Sequence, residues 1–209
     1  MKRSTKTKRN RQHKKVLGKS IEERPAAVDD CTEFGHWEID TVLGSRTNEA
    51  ALLTLTERQT RREIIYPLGG KEAGEVHQAM RAIQENFGTD FSAIFKTITS
   101  DNGSEFADIS ASLKETKTEV YYSHPYTSSE RGTNERHNGL IRRFIPEGRF
   151  MRGVSPEVIQ QVQTWCNTLP RKILGYLTPD ERFWGRDRKI GFTITLFYHL
   201  KIVAFTIAI

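Results

Sequence analysis

The feature that most limits the fold is a change of hydrophobic period near residue 70. From Gly35, Trp37, Ile39, Thr41 and Leu43 alternate with His36, Glu38, Asp40 and Val42. That period of two reads as a strand. Residues 50–57 (AALLTLTE) and 61–67 (RREIIYP) read as two more strands joined by short turns, so the three form an antiparallel meander. Then Ala73, Val76, Met80, Ile83 and Phe87 recur three and four apart, which is one face of a helix over about residues 71–87. Gly88 is a natural stop. Residues 93–99 read as a fourth strand, 104–116 as helical, 118–123 as a fifth strand and 129–145 as a helix. Ser155-Pro156-Glu157 marks another helix start, an N-cap followed by Pro at N1. Val158, Val162, Trp165 and Leu169 form the apolar face of that helix. Strands followed by strand–helix alternation predict an α/β layer, a five-stranded mixed sheet flanked by helices. The helical crossovers set the fourth and fifth strands parallel to a neighbour.

A hydrophobic share of 36% over 209 residues supplies a real core, which excludes a wholly disordered chain. The net charge is +6, but residues 1–19 carry nine basic side chains and no acid. The rest holds 23 basic and 26 acidic residues, a net of −3. The expected organisation is a basic disordered arm (1–19), a linker (20–33), a catalytic core (34–184) and an apolar C-terminal extension (185–209). The arm can bind phosphates by counterion release, or remain a solvated tail. Cys31 and Cys166 form no CxxC and read as reduced thiols of a cytosolic protein. Residues 190–209 are long enough to span a bilayer. However, His199 and Lys201 sit near the middle and the apolar residues alternate, so a strand or sticky extension is favoured.

Three acids stand out. Asp40 lies in a β-forming strand, where acids are disfavoured, with Glu38 and His36 on its face. The bland alternative is a solvent-facing strand side. Asp101 directly follows the fourth strand in TSDNGSEF. Asp-Asn-Gly is a turn signal, but strand ends in open α/β sheets also carry ligands. Glu135 shares a helix face with Asn138, Gly139 and Arg142. Two Asp from strands and a Glu from a helix are the hard oxygen donors that Mg²⁺ uses together with substrate phosphates. Two such ions suit phosphodiester chemistry. From Arg131 to Arg152 there are six Arg against Glu135 and Glu147, and Arg is well shaped for phosphate. A zinc site is disfavoured, because His36, His124 and His137 have no cysteine partners at usable spacing.

With these residues in view, the chain resembles the catalytic core of a bacterial insertion-sequence transposase of the DDE class, specifically the IS-thirty family. The matching stretches are FGHWEIDTVLG (34–44), TSDNGSEF (99–106), HPYTSSERGTNERHNGLIRRFIPEG (124–148) and PRKILGYLTPDERF (170–183). The 33 residues between Asp101 and Glu135 match the family's interval. The resemblance implies an RNase H-like fold, with Asp40, Asp101 and Glu135 as catalytic metal ligands for Mg²⁺ or Mn²⁺, two ions in number. It also implies DNA contacts from Asn138, Arg142, Arg143, Arg171 and Lys172. The reaction it implies is strand cleavage at the element's end, followed by attack of the freed 3′-OH on target DNA.

The departures shape the remaining expectations. The family's helix-turn-helix region is not found before the core, so the chain reads as N-terminally truncated. The family's proline-lysine-glycine appears as Pro146-Glu147-Gly148, and its asparagine-x-arginine-proline as Asn167-Thr168-Leu169-Pro170. The alternative function is therefore a catalytically idle DNA-binding remnant or inhibitor, pairing with full-length transposase. A cellular RNase H-like nuclease is a third reading, disfavoured by Asn138 and Arg142. Expected partners are insertion-sequence ends, target DNA and full-length transposase or further copies, with no membrane. The expected location is the cytoplasm, at the nucleoid.

Overall fold

The computed structural model describes residues 17–44, 50–124 and 132–185, with side chains described from Arg136 onward in the last span. The six strands are β1 (Lys19–Ser20), β2 (His36–Leu43), β3 (Ala51–Glu57), β4 (Glu63–Leu68), β5 (Thr97–Ser100) and β6 (Glu119–Tyr122). They form one sheet in the order β1-β6-β5-β2-β3-β4. The meander is present: β3 runs antiparallel to both β2 and β4. The crossover rule also holds, since β5 is parallel to β2 and to β6. The five expected strands are all there. The sixth, β1, comes from the boundary assigned to arm and linker, and it pairs parallel with β6. Two residues are too few to show a period. Long-range contacts hold it instead: Lys19 is ion-paired with Glu119, and the Leu17 amide donates to Asn102 Oδ1 at 2.9 Å.

The helices are α1 (Ala73–Phe87), α2 (Phe91–Ile94), α3 (Ile109–Ser112), α4 (Gly132–Ile141), α5 (Pro156–Thr168) and α6 (Pro179–Trp184). α1 ends at Gly88, whose φ of +51° suits a residue without a Cβ. The segment 104–116 is not one helix. It is a 3-10 turn at Ser104–Phe106 and the single turn α3, because the chain must reverse into β6 within a few residues. Residues 93–94 close α2 rather than open β5. Phe91 and Phe95 stack there at 4.4 Å, and Phe95 stacks on Trp37 at 4.5 Å, so this apolar run is core packing and not strand period. α6 has a capping box, Thr178 with Glu181, and Pro179 in its first turn. That T-x-x-E signal was present in the sequence but was not read as a helix start.

Helices cover both faces of the sheet. Trp37, Ile39, Leu53 and Leu55 pack against Val76, Met80, Ile83 and Phe87 of α1. Val42, Leu52 and Ile65 pack against Ile141, Ile145, Ile159 and Val162 from the α4–α5 side. The edge strand β4 is closed by α5. Gln163 Oε1 accepts the Ile65 amide at 2.7 Å, and Asn167 Oδ1 accepts the Glu63 amide at 2.8 Å. The next outward position in the alternation is Pro67, which has no N–H to satisfy. Side chains on one helix thus complete the edge that would otherwise template another strand. Asn167 Nδ2 returns a bond to the Glu63 carbonyl at 2.8 Å.

Among the described residues no helix is long and apolar enough to cross a membrane. Residues 1–16 of the basic arm and 186–209 of the apolar extension lie outside the described residues.

Candidate active site

Asp40 sits on β2, in the centre of the sheet, on the face that α4 covers. Its Oδ1 accepts the Thr41 amide at 2.9 Å, and its Oδ2 accepts Asn138 Nδ2 at 2.8 Å. This face is not solvent-facing. Glu38 is 1% exposed and ion-paired with Arg58, whose Nε donates to the Val28 carbonyl at 3.0 Å. His36 is also buried, between Thr97 Oγ1 at 2.8 Å and Glu33 at 3.1 Å.

Asp101 follows β5 directly. The β2–β5 register pairs His36 with Thr97 and Glu38 with Thr99. Extended two residues past Glu38–Thr99, that register aligns position 101, just beyond the end of β5, with position 40 of β2. Asp101 Oδ1 accepts the Gly103 amide at 2.9 Å, so the turn chemistry and the site use the same residue. Position 135 is one turn before Asn138 on α4, and residues three apart share a helix face. Since Asn138 reaches Asp40, that face overlies Asp40. The side chain of Glu135 lies outside the described residues.

A divalent cation suits the residues present. Asp40 lies within β2, and Asp101 directly follows β5, the adjacent strand. Beside Asp40, Asn138 Oδ1 is buried and has no partner among the described residues, an acceptor that a cation or its water would satisfy. Among the described residues no group of three or more His, Cys, Asp or Glu is close enough to hold a metal. A third carboxylate would have to come from α4.

The expected DNA contacts divide in two. Arg143 and Lys172 are exposed, and the Arg143 guanidinium lies 5.8 Å from the Trp165 ring centre. Arg142 and Arg171 are half-buried and each spends a donor on backbone. Arg142 Nη2 donates to the Leu43 carbonyl at 2.7 Å, which ties α4 to the end of β2. Arg171 Nη2 donates to the Cys166 carbonyl at 2.9 Å in the last turn of α5, and burial lowers its guanidinium pKa. Asn138 faces Asp40.

Two groups escaped the sequence reading. Glu105, 4% exposed, accepts from Lys71 Nζ at 2.8 Å and from Thr41 Oγ1 at 3.3 Å. His137 Nδ1 donates to buried Glu63 Oε2 at 2.6 Å, and Thr56 Oγ1 donates to the same oxygen at 2.8 Å. This network anchors α4 to β4, and α5 joins it through Asn167. In the sequence, TSDNGSEF held Glu105 in plain view, but nothing local distinguishes a buried acid from a solvated one.

Residues 32–128 match the integrase core domain family model. The chain is 42% identical over 171 residues to a probable transposase for the insertion-like sequence element IS1161 from Streptococcus salivarius, covering 81% of this chain and 47% of the relative. It is 40% identical over 167 residues to the transposase for IS4351 from Bacteroides fragilis, covering 78% and 48%. It is 35% identical over 166 residues to transposase InsI for IS30A from Escherichia coli K12, covering 79% and 42%. The chain thus spans about half the length of the curated relatives it matches. Its fold is also that of a chain in the cryo-EM structure of a simian T-cell lymphotropic virus intasome in complex with PP2A regulatory subunit B56 gamma. There the TM-score is 0.58 at 14% identity, covering 82% of this chain and 59% of that one. This mixed sheet, with its helices on both faces, is consistent with the RNase H-like class. Residues 32–128 thus carry the match to the integrase core domain, and the chain is similar over most of its length to insertion-sequence transposases.

Proposed function

We propose that this domain performs metal-dependent DNA strand cleavage and strand transfer at insertion-sequence ends. The observation that supports the reading is the β2–β5 pairing, whose register aligns position 101 with Asp40, together with the bond from Asn138 of α4 to Asp40. Asp40, Asp101 and Glu135 are the residues that would hold two Mg²⁺ or Mn²⁺ ions. Such ions, when bound, activate the attacking oxygen and stabilise the leaving one in phosphodiester displacement. The chain's own residues do the rest. The Thr41 and Gly103 amides fix the rotamers of the two Asp carboxylates. Asn138 and Arg142 lock α4 over β2. Exposed Arg143 and Lys172, with the basic arm, supply phosphate contacts. The substrates are element ends and target DNA at the cytoplasmic nucleoid, and further transposase copies are the expected protein partners.

The test is nicking and strand transfer on element-end DNA with Mg²⁺ or Mn²⁺. Activity is expected, and Asp101→Asn is expected to abolish it while thermal unfolding stays unchanged. Equal activity in that variant would overturn the mechanism. A catalytically idle DNA-binding remnant is favoured by one feature. Exposed Glu147 stands where the resemblance expects lysine, which sets a negative charge where a phosphate contact would lie. Salt-sensitive binding without any cleavage would select this second reading.

A further inference from the structure

The buried carboxylate of Glu105 has no part in the proposed ligand set, yet it lies beside the turn that holds Asp101 and against Thr41, the residue after Asp40 in β2. One oxygen, Oε1, accepts from Thr41, the neighbour of Asp40. The other, Oε2, closes on the Gly103 Cα from the same side as Asp101 Oδ1. A Cβ built there would meet Glu105 Oε2 at 2.5 Å and Asp101 Oδ1 at 2.8 Å. A further anion beside the Asp101 carboxylate is unfavourable by itself. A brace between Thr41 and the turn could use neutral glutamine instead.

What the charge does is bind Lys71. The ammonium is 2.8 Å from Glu105 Oε1 and its side chain is 32% exposed. Lys71 lies in the Gly69–Glu72 loop before α1. The same loop is held at its other end, where the Gly69 amide donates to Glu75 Oε2 at 2.8 Å. An ammonium has three donors, and Glu105 takes one. A compact cation is thus fixed, through Glu105, beside the turn that holds Asp101, with donors left over and access to solvent. That is how lysine serves as a point-charge phosphate ligand.

We propose that Lys71 binds a DNA backbone phosphate at the active site, and that Glu105 is the positioning residue that holds it there. This rests on the DNA-processing reading above. A lysine placed there offsets the repulsion between a polyanionic substrate and the neighbouring carboxylates of Asp101 and Glu105. Arg142, by contrast, has one of its donors committed to backbone.

The experiment measures binding of the full chain to a labelled duplex carrying an element end. It is run in EDTA over a range of salt concentrations, so that turnover has no part in it. Loss of one phosphate contact lowers the slope of log K against log salt by about one. Lys71→Gln is expected to show that loss, and Lys71→Arg to restore the slope. Glu105→Gln separates positioning from bulk charge. Removing an acid strengthens DNA binding if only net charge matters, whereas loss of positioning weakens it. Weaker binding is expected. An unchanged slope in Lys71→Gln, with a lowered unfolding midpoint, would make Lys71 a structural brace and overturn the proposal. Tighter binding by Glu105→Gln would overturn the positioning role. Failure of the unaltered chain to bind DNA at all would instead sink the proposed function.

Discussion

Replacing His137 by alanine tests the anchoring of α4. His137 is 6% exposed and Glu63 is 1% exposed. Among the described residues, the 2.6 Å bond between them is one of two that Glu63 Oε2 accepts, the other being from Thr56. Glu63 Oε1 is already buried without a partner. A hydrogen bond to a carboxylate contributes about 1.5–3 kcal/mol. Removing the donor also leaves a buried carboxylate oxygen less satisfied, which costs about 1–3 kcal/mol and more for a charged group. The expected loss for His137→Ala is about 3 kcal/mol. For a chain of this size that is a drop of about 6–12 °C in the unfolding midpoint. Urea unfolding followed by tryptophan fluorescence reads it directly. Pairing the change with Glu63→Gln removes the stranded charge, so the double variant is expected to be more stable than the sum of the single losses implies. Below the unfolding transition, His137→Ala is also expected to nick DNA more slowly, since α4 carries both position 135 and Asn138. A loss under about 1 kcal/mol, or strict additivity in the double variant, would refute the claim that this pair fastens the helix.

Two further changes have distinct signatures. Gly103→Ala drives a methyl into Glu105 Oε2 and Asp101 Oδ1. The clash falls on side-chain ends, so stability is expected to fall by no more than about 1 kcal/mol, while nicking falls at least tenfold. Normal turnover in this variant would mean the two carboxylates need not hold their places. Burial, reinforced by nearby Glu63, pushes the Cys166 thiol up to about 12, from 9.0. Native chain is therefore expected to react with iodoacetamide at pH 8 at half-buried Cys31 and not at Cys166, with both reacting once unfolded. The same shift has a sign in stability. The unfolded chain releases the Cys166 proton near pH 9 while the native chain keeps it, so stability falls as pH rises from about 9 toward 12. In Cys166→Ala, denaturant midpoints across that range should show a shallower alkaline decline.

The local signals were strong where chemistry and geometry are both short-range. Period two marked β2, β3 and β4, period 3.6 marked α1, and Ser155-Pro156 marked α5 within a residue. The Asp-Asn-Gly turn was legible, and so was its position at a strand end. Failures came where packing overrode period. The aromatic run around Phe91–Phe95 is apolar because it stacks on Trp37. β1 exists only because β6 offers it an edge. Arg142 and Arg143 are adjacent and chemically identical, yet one donates to the Leu43 carbonyl and the other is exposed. No sequence rule separates them, because the difference is which way α4 is rotated against the sheet.

The sequence by itself determined the element order, the mixed sheet and the candidate acids. Periodicity, caps and turn residues act over a few positions and can be read one segment at a time. Only the tertiary structure decided that β5 pairs with β2 in a register aligning position 101 with Asp40, that Asn138 reaches across to Asp40, and that Glu105 and Lys71 form a pair beside the Asp101 turn. Those contacts join residues far apart in the chain. They depend on strand register and helix rotation, which are set by the packing of both sheet faces together and by no segment alone.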